Sequence, residues 1–552
     1  MNGRDLKGYV GLLLHAHLPY VRHPEQDGIL PERWLFEAIT ECYIPLLQVF
    51  ERLTHDGVPF RLVFSLTPTL LAMWNDELLR RRYELYLDRM RELADREVSR
   101  TRHDHRLAPV ARMYRDRLKW VSGVYADSYR RDLVGAFRRL AEAGTIELAT
   151  SAATHAFLPL VGALHRSAVE AQVEFGLRLF RRLFARDPAG FWLPECGYRP
   201  GLDQVLTEKG LSWTCLEAHG VLFASPRPRY GVHAPVVTPA GVAVFGRDPE
   251  SSKQVWSGKE GYPGDPWYRE YYRDIGYDLD DYDYLRPFLA PDGSRTHTGF
   301  KYHRVTGPGD HKEVYEPDRA YERVDVHAGH FMWARQKQVE WLAGLFDRRP
   351  FVLAPYDAEL FGHWWFEGPT FLELFLRKQA YDQKDFRLVT PTDYLAEHPV
   401  NQPSQPIESS WGWKGYNEVW LQGRNDWIYR HLHKAAEVME GLVAGFPAPG
   451  PLELRALNQA ARELLLAQAS DWPFMMQSGG MDAYARHRFT HHLGWFLALA
   501  GQLREGRIDG RWLGELERSD NLFGDLIDYR VFGYRAWPPA PQALVRAPAA
   551  GR

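Results

Sequence analysis

FVLAPYDAELFGHWWFEGP, residues 351–369, opens with an unbroken apolar run and then turns polar at a single acid, Asp357. Glu359, the adjacent rings Trp364, Trp365 and Phe366, and Glu367 follow it. An apolar run without alternation belongs to a strand covered on both faces, as in a parallel sheet between helices. FWLPECGYRP, residues 191–200, repeats the arrangement with Phe191, Trp192 and Leu193 ahead of Glu195. Outward from these two, similar runs occur at 9–14, 60–66, 145–149, 213–216 and 242–245, with a weaker one at 386–390. Amphipathic stretches such as 35–53, 125–143 and 165–184 separate them. Seven or eight strand–helix units predict a closed parallel barrel in preference to an open sheet.

In such a barrel, functional groups gather past the carboxyl ends of the strands. Here the strand ends carry His15 and His17, His155, Glu195, Glu217 and His219, Arg247 and Asp248, and Asp357. Polar groups at so many ends in register predict one shared mouth. His15 and His17 have strand spacing, so both imidazoles face the same side. With a carboxylate they could ligate a divalent metal, or they could hydrogen-bond sugar hydroxyls. Asp325 and His327 follow no strand and are poor completions of a metal set; His327 and His330 read as scaffold.

Glu195 is either a cavity-facing acid or the partner of an arginine such as Arg199. Two carboxyls from separate strand ends are the minimum for glycoside cleavage or transfer: one ionised to attack, the other holding a proton for the leaving oxygen. The rings after Asp357 would lower local polarity and raise its pKa. Glu359 and Glu367 are rivals for the acid's role.

Two insertions interrupt the barrel pattern. Residues near 78–120 are rich in Arg and Glu at helical spacing; residues 248–324 are rich in Gly, Pro, Tyr and Asp and read as long ordered loops, which inside a compact domain are usually functional. Helical periodicity takes over at 433–444, 452–469 and 482–503. The expected organisation is a catalytic region over 1–397, a helical C-terminal region over 398–540 and a frayed tail over 541–552. Between them, SSWGWKGYNEVWLQGRNDW (409–427) sets Trp411, Trp413, Trp420 and Trp427 among Gly, Asn, Gln and Arg. These rings are stacking platforms for a sugar chain or an aromatic domain interface. Asp471 and Trp472 form a similar polar–aromatic pair.

Composition narrows the classes. The net charge of −3, from 68 basic and 71 acidic side chains, suits neither nucleic acid nor an anionic membrane. Three scattered cysteines (Cys42, Cys196, Cys215) are too few for a disulfide framework. The apolar run at residues 10–14 is too short for a secretory signal and nothing approaches a membrane span, so a cytoplasmic protein is expected. Aromatic residues make up 14% of the chain and many neighbour hydrogen-bonding groups, which suits a ligand with C–H faces and hydroxyl edges.

Six separated stretches in order resemble glycoside hydrolase family 57, most closely its branching members: LLLHAHLPYVRHP (12–24), GTIELATSAATHAFLPL (144–160), FWLPECGY (191–198), FGRDPESSKQVWS (245–257) leading into GYPGDPWYREYYRDIGYD (261–278), PYDAELFGHWWFEGP (355–369), and 409–427. The resemblance implies an incomplete seven-stranded (β/α) barrel with a helical C-terminal domain, and a retaining mechanism without metal or other cofactor. It places the nucleophile on Glu195 and the acid/base on Asp357, sugar contacts on His15, His17 and His155, and groove rings on Trp411 and Trp420. The implied activity is scission of α-1,4 bonds in a linear glucan, which serves as donor and acceptor, and rejoining through α-1,6 bonds in glycogen synthesis. A monomer is expected. The loop 257–268 has glycines and aromatics suited to a water-excluding lid, and Tyr262 falls where similar enzymes carry a tyrosine tied to branching. An α-amylase or 4-α-glucanotransferase of the same family is the alternative.

Overall fold

The computed structural model describes residues 6–537, so the expected tail at 541–552 lies outside the described residues. Ten strands form among the described residues: β1 (Gly8–Ala16), β2 (Leu62–Leu66), β3 (Ile146–Ser151), β4 (Phe191–Trp192), β5 (Trp213–Leu216), β6 (Val236–Val237), β7 (Ala243–Gly246), β8 (Phe351–Asp357), β9 (Phe386–Leu388) and β10 (Gln402–Pro403). The eight apolar runs all become strands. The two-residue β6 and β10 lie outside the apolar runs.

Parallel pairing runs β4-β3-β2-β1-β8, with β9 added to the start of β1. All nine residues of β1 are buried, as an apolar strand covered on both faces must be. A second sheet runs β10-β6-β7-β5, in which β5 and β7 are parallel. The fold is thus the incomplete barrel that the resemblance implies and not the closed one that periodicity predicts: a curled parallel sheet meets its neighbour through single parallel bridges, Gly190 to Trp213 and Arg247 to Leu353. The cause is local on one side. β4 stops after two residues because Pro194 has no N–H for the ladder and Glu195 leaves the β region at φ 61°.

Helices cover this sheet. The 29-residue helix Pro317–Leu345 packs on Gly368–Tyr381, which in turn packs on Ile44–His55. The first insertion forms two packed helices, Glu77–Thr101 and Leu107–Gly123, the former capped by Asp76, whose carboxylate accepts from the Leu79 N–H. The second insertion has short helical turns within long loops.

Past residue 427 the chain is helical, with Pro451–Ala467 sandwiched against Asp482–Glu505 and buried almost completely from Ala456 onward. Backbone bonds fasten this region to the loop after β3: Ala156 bridges Ala469, and the Ser470 N–H donates to the His155 carbonyl at 3.1 Å. No helix among the described residues is long and apolar enough to cross a membrane.

Candidate active site

β1 and β8 pair in a register that sets His15 opposite Asp357, and β1 and β2 set His15 opposite Ser65. The first imidazole and the second acid thus stand at one level because two adjacent apolar strands end together. His15 is buried, with Nδ1 3.2 Å from the Ser65 hydroxyl and Nε2 3.1 Å from His155 Nε2. Its ring stacks on Trp192 at 4.5 Å. His17 stacks on His155 at 3.7 Å, and its Nε2 lies 3.1 Å from an Asp471 oxygen. His17 Nδ1 is 3.3 Å from the Thr67 hydroxyl, and His155 Nδ1 is 2.9 Å from the Ser470 hydroxyl. The three imidazoles form a stacked row, held from the barrel side by Ser65 and Thr67 and from the helical region by Ser470 and Asp471.

Glu195 joins this row. One carboxylate oxygen lies 3.8 Å from His155 Nδ1; the other accepts the Trp411 indole N–H at 2.7 Å. The Trp411 backbone N–H also donates to the Glu195 carbonyl, at 3.0 Å. The same tryptophan therefore fixes the acid at its backbone and at its carboxylate. The reading of Glu195 as an ion-pair partner of Arg199 is not what forms: Arg199 donates to the Gly162 carbonyl instead.

His155, Glu195 and Cys196 all have left-handed backbone torsions (φ 55°, 61° and 51°), which cost non-glycine residues energy and concentrate at functional sites. Gly197 is required beside them, since a Cβ there would lie 2.6 Å from the Phe157 ring. About 19% of the Glu195 side chain meets solvent, so the acid is reachable from outside.

Burial pushes the Glu195 carboxyl up to about 7; the Trp411 bond opposes this and repulsion from Asp357 adds to it. Burial pushes Asp357 up to about 6, with Arg247 and then His17 pulling it down. Glu359 rises to about 8 through burial and repulsion from Asp357. It accepts from the His17 backbone N–H at 3.1 Å and from the Tyr43 hydroxyl. Burial first, then the neighbouring imidazoles, drive His15 and His155 well below the usual histidine range, so both rings are neutral at physiological pH.

Burial favours the protonated form of both acids, and neutral imidazoles around them offer donors and acceptors to hydroxyl groups. The arrangement can protonate a leaving oxygen with one acid and present the other as a carboxylate.

Of the other expected site residues, two are corrected to core positions. Trp420 is 1% exposed and stacks on Phe157 at 4.3 Å, and Trp472 is 1% exposed with its indole N–H donated to the Leu466 carbonyl. Both rings are packing elements rather than exposed stacking platforms; the apolar contacts won because each faces the seam between sheet and helices. Tyr262 also departs from the expectation of exposed loop aromatics. It is buried against His327, Phe331 and Phe371, its hydroxyl 2.8 Å from His330 Nδ1, and none of these partners belongs to the acid cluster. Tyr268 is buried beside it, bonded to His327.

Glu367 accepts from the Tyr315 hydroxyl and the Arg269 backbone N–H, which ties it to the second insertion. Among the described residues, the side chains spaced to hold an ion are Glu463, His492 and Asp520 in the helical region; His15 and His17 belong to no such group.

The site also contains residues the motifs passed over. Trp192 closes the imidazole row and meets Trp411 edge-on at 5.0 Å. Arg247, paired with Glu217 at 2.9 Å, lies over the Trp411 ring and supplies the positive charge next to Asp357. Arg247 was visible as a strand-end residue, but its pairing depends on the β5–β7 register. Ser470 and Tyr43 carried no sequence signal.

Residues 11–336 match the family model described as glycosyl hydrolase family 57, and residues 431–532 match that of the 1,4-alpha-glucan branching enzyme C-terminal region. The 1,4-alpha-glucan branching enzyme TK1436 of Thermococcus kodakarensis is 33% identical over 95% of this chain and 78% of its own length. Among solved structures, the alpha-amylase AmyC of Thermotoga maritima superposes with a TM-score of 0.89 at 42% identity, over 96% of this chain and 99% of that one. The GH57-type branching enzyme of Pyrococcus horikoshii superposes with a TM-score of 0.86 at 34% identity, over 97% and 98%.

Proposed function

Because the chain belongs to glycosyl hydrolase family 57, we propose that it is a 1,4-α-glucan branching enzyme, with Glu195 as nucleophile and Asp357 as general acid and base. The carrying observation is that the region matching the branching-enzyme C-terminal model contributes to the acid site itself: Asp471 holds His17, and Ser470 holds His155. The substrate is a linear α-1,4-glucan, and the setting is glycogen synthesis in the cytoplasm.

In the first step Asp357 gives its proton to the glycosidic oxygen as a Glu195 oxygen bonds to the anomeric carbon and the C–O bond to the leaving chain breaks. In the second step Asp357, now a carboxylate, takes the proton of a glucan 6-hydroxyl. That oxygen displaces Glu195, and the anomeric configuration is retained. Burial favours the protonated form of both acids, Glu195 included, whereas the chemistry needs the proton on Asp357 alone. Sugar binding reverses this by donating a hydroxyl to Glu195 and setting the glycosidic oxygen beside Asp357. The Trp411 N–H already favours the ionised form of Glu195.

Hydrolysis by the same site is the second reading, favoured by the 42% identity with the Thermotoga amylase. The difference lies in whether water or a sugar hydroxyl reaches the glucosyl-enzyme. Here the loop 257–268 is tied down by Tyr262 to His330 and by Tyr268 to His327. Incubation with amylose separates the two. A branching enzyme lowers iodine staining, generates few reducing ends and creates α-1,6 anomeric protons by NMR. Reducing ends that rise in step with the loss of staining would identify an amylase.

A further inference from the structure

A cavity of about 570 Å³, lined by none of the acid-cluster residues, opens between the helix Pro249–Trp256 and the helix Pro317–Leu345. Two indoles in its wall face solvent, Trp333 at 53% and Trp341 at 64% exposed. They lie two turns apart on one helix, about 12 Å along its axis, a span that fits several linked sugars. Trp333 leans on His330 at 5.8 Å, yet each indole leaves most of its surface to solvent, and two lining one cavity form a surface suited to stacking.

The polar part of the wall is unfinished. Gln338 donates its amide to Asp248 at 2.8 Å, which fixes the amide orientation, and its carbonyl oxygen is buried with no hydrogen-bond partner. The Gln254 side-chain carbonyl and His233 Nδ1 are likewise buried and unpartnered. Asp248 is itself held as the cap of the helix Pro249–Trp256, accepting from the Ser251 N–H at 2.7 Å. The two amide oxygens lack donors, the imidazole nitrogen lacks a partner of either kind, and each unmet buried polar atom is costly until one arrives. Asp248 and Glu250 against Lys337 give the lining no excess of positive charge, which disfavours phosphate or carboxylate ligands. A neutral polyhydroxyl chain meets both demands: C–H faces for the indoles, hydroxyls for the acceptors.

We propose that this cavity is a second α-glucan-binding site that holds a polymer strand outside the catalytic mouth. The inference rests on the α-glucan reading of the acid site. One lining residue, His330, is also the anchor of Tyr262, so a bound strand would lie against the loop's tether.

The test uses the full chain in native electrophoresis through gels with and without glycogen, comparing wild type with a Trp333→Ala/Trp341→Ala double variant. Both side chains are exposed, and a thermal melt checks that the variant folds; Gln338→Ala is a second variant that leaves the indoles in place. The double variant is expected to bind glycogen at least about fivefold more weakly, while its turnover of a short maltooligosaccharide stays within about twofold of wild type. Unchanged retardation in both variants, with amylose activity present, overturns the second site and leaves the catalytic proposal standing. A wild type that neither binds glycogen nor acts on amylose overturns both together.

Discussion

Replacing Trp411 with Phe removes the indole N–H that meets the Glu195 carboxylate at 2.7 Å, while the backbone bond from residue 411 to the Glu195 carbonyl is retained. The lost bond is charge-assisted and partly buried, so it favours the ionised acid by about 1.5–3 kcal/mol. One pH unit corresponds to about 1.4 kcal/mol, so the Glu195 pKa, already near 7, should rise by about one to two units. The sign follows from the donor: an N–H stabilises only the carboxylate, and without it a higher pH is needed to ionise the nucleophile. The acidic limb of the kcat/KM profile on a soluble maltooligosaccharide should therefore move up by a similar amount. At pH 7 the rate should fall by roughly tenfold or more, and much of it should return at higher pH. Trp413→Phe, at an exposed neighbour outside the cluster, serves as the control. A folded Trp411→Phe protein whose acidic limb stays in place, with activity lost uniformly across pH, would refute the assignment of the indole as the group that tunes Glu195.

Other perturbations separate the remaining parts. Glu195→Gln and Asp357→Asn should each cost about a thousandfold or more in kcat with unchanged circular dichroism; only Asp357→Asn should recover glycosyl-enzyme formation on a donor whose leaving group needs no proton. Asp471→Asn keeps the shape but weakens the hold on His17 (3.1 Å), and should lower kcat/KM about tenfold without lowering the melting temperature appreciably; full activity would place the C-terminal contact outside catalysis. Tyr262→Phe removes the bond to His330, worth about 1 kcal/mol, and should increase reducing ends formed per unit of iodine stain lost. Asp274 is buried and accepts from the Gly276, Thr298 and Gly299 N–H groups, and its pKa is driven below the usual carboxylate range by His297 and Lys301 as well as these bonds. Its stabilisation is present above the unfolded carboxylate value and is lost as pH falls through the depressed one. Asp274→Asn should therefore lower the urea midpoint at pH 7, and the gap from wild type should shrink in strong acid.

The strands were legible because a parallel strand buried on both faces must be apolar throughout, and no surface helix shows that pattern. Strand-end position then picked out His15, His17, His155, Glu195 and Asp357, which the fold brings to one cluster. What escaped was whatever depends on distant pairing. Trp411, Trp420 and Trp472 sit in equally polar-looking stretches, yet Trp411 meets a carboxylate, Trp420 meets Phe157 and Trp472 meets the Leu466 carbonyl. A tryptophan's neighbours in sequence do not report which surface its ring will face. Tyr262 shows the same limit, since the glycines and prolines around it signal a loop but not the helix that receives its side chain.

The pairing of sheet and helical region also gives Asp471 its significance. Left alone, β1 and β2 would supply only Ser65 and Thr67 to orient the histidines, each through one neutral hydroxyl. His17 would then have Nε2 free to rotate toward solvent. The helical region adds an anionic partner at that nitrogen and a hydroxyl at His155, and its attachment through Ala469 and Ser470 places both from one short segment. Orientation of the imidazole row, and through it the polar surroundings of Glu195, therefore depends on docking between two regions distant in sequence. A change that loosens the contact of Ala156 with Ala469 should disturb catalysis before it disturbs either region's own fold.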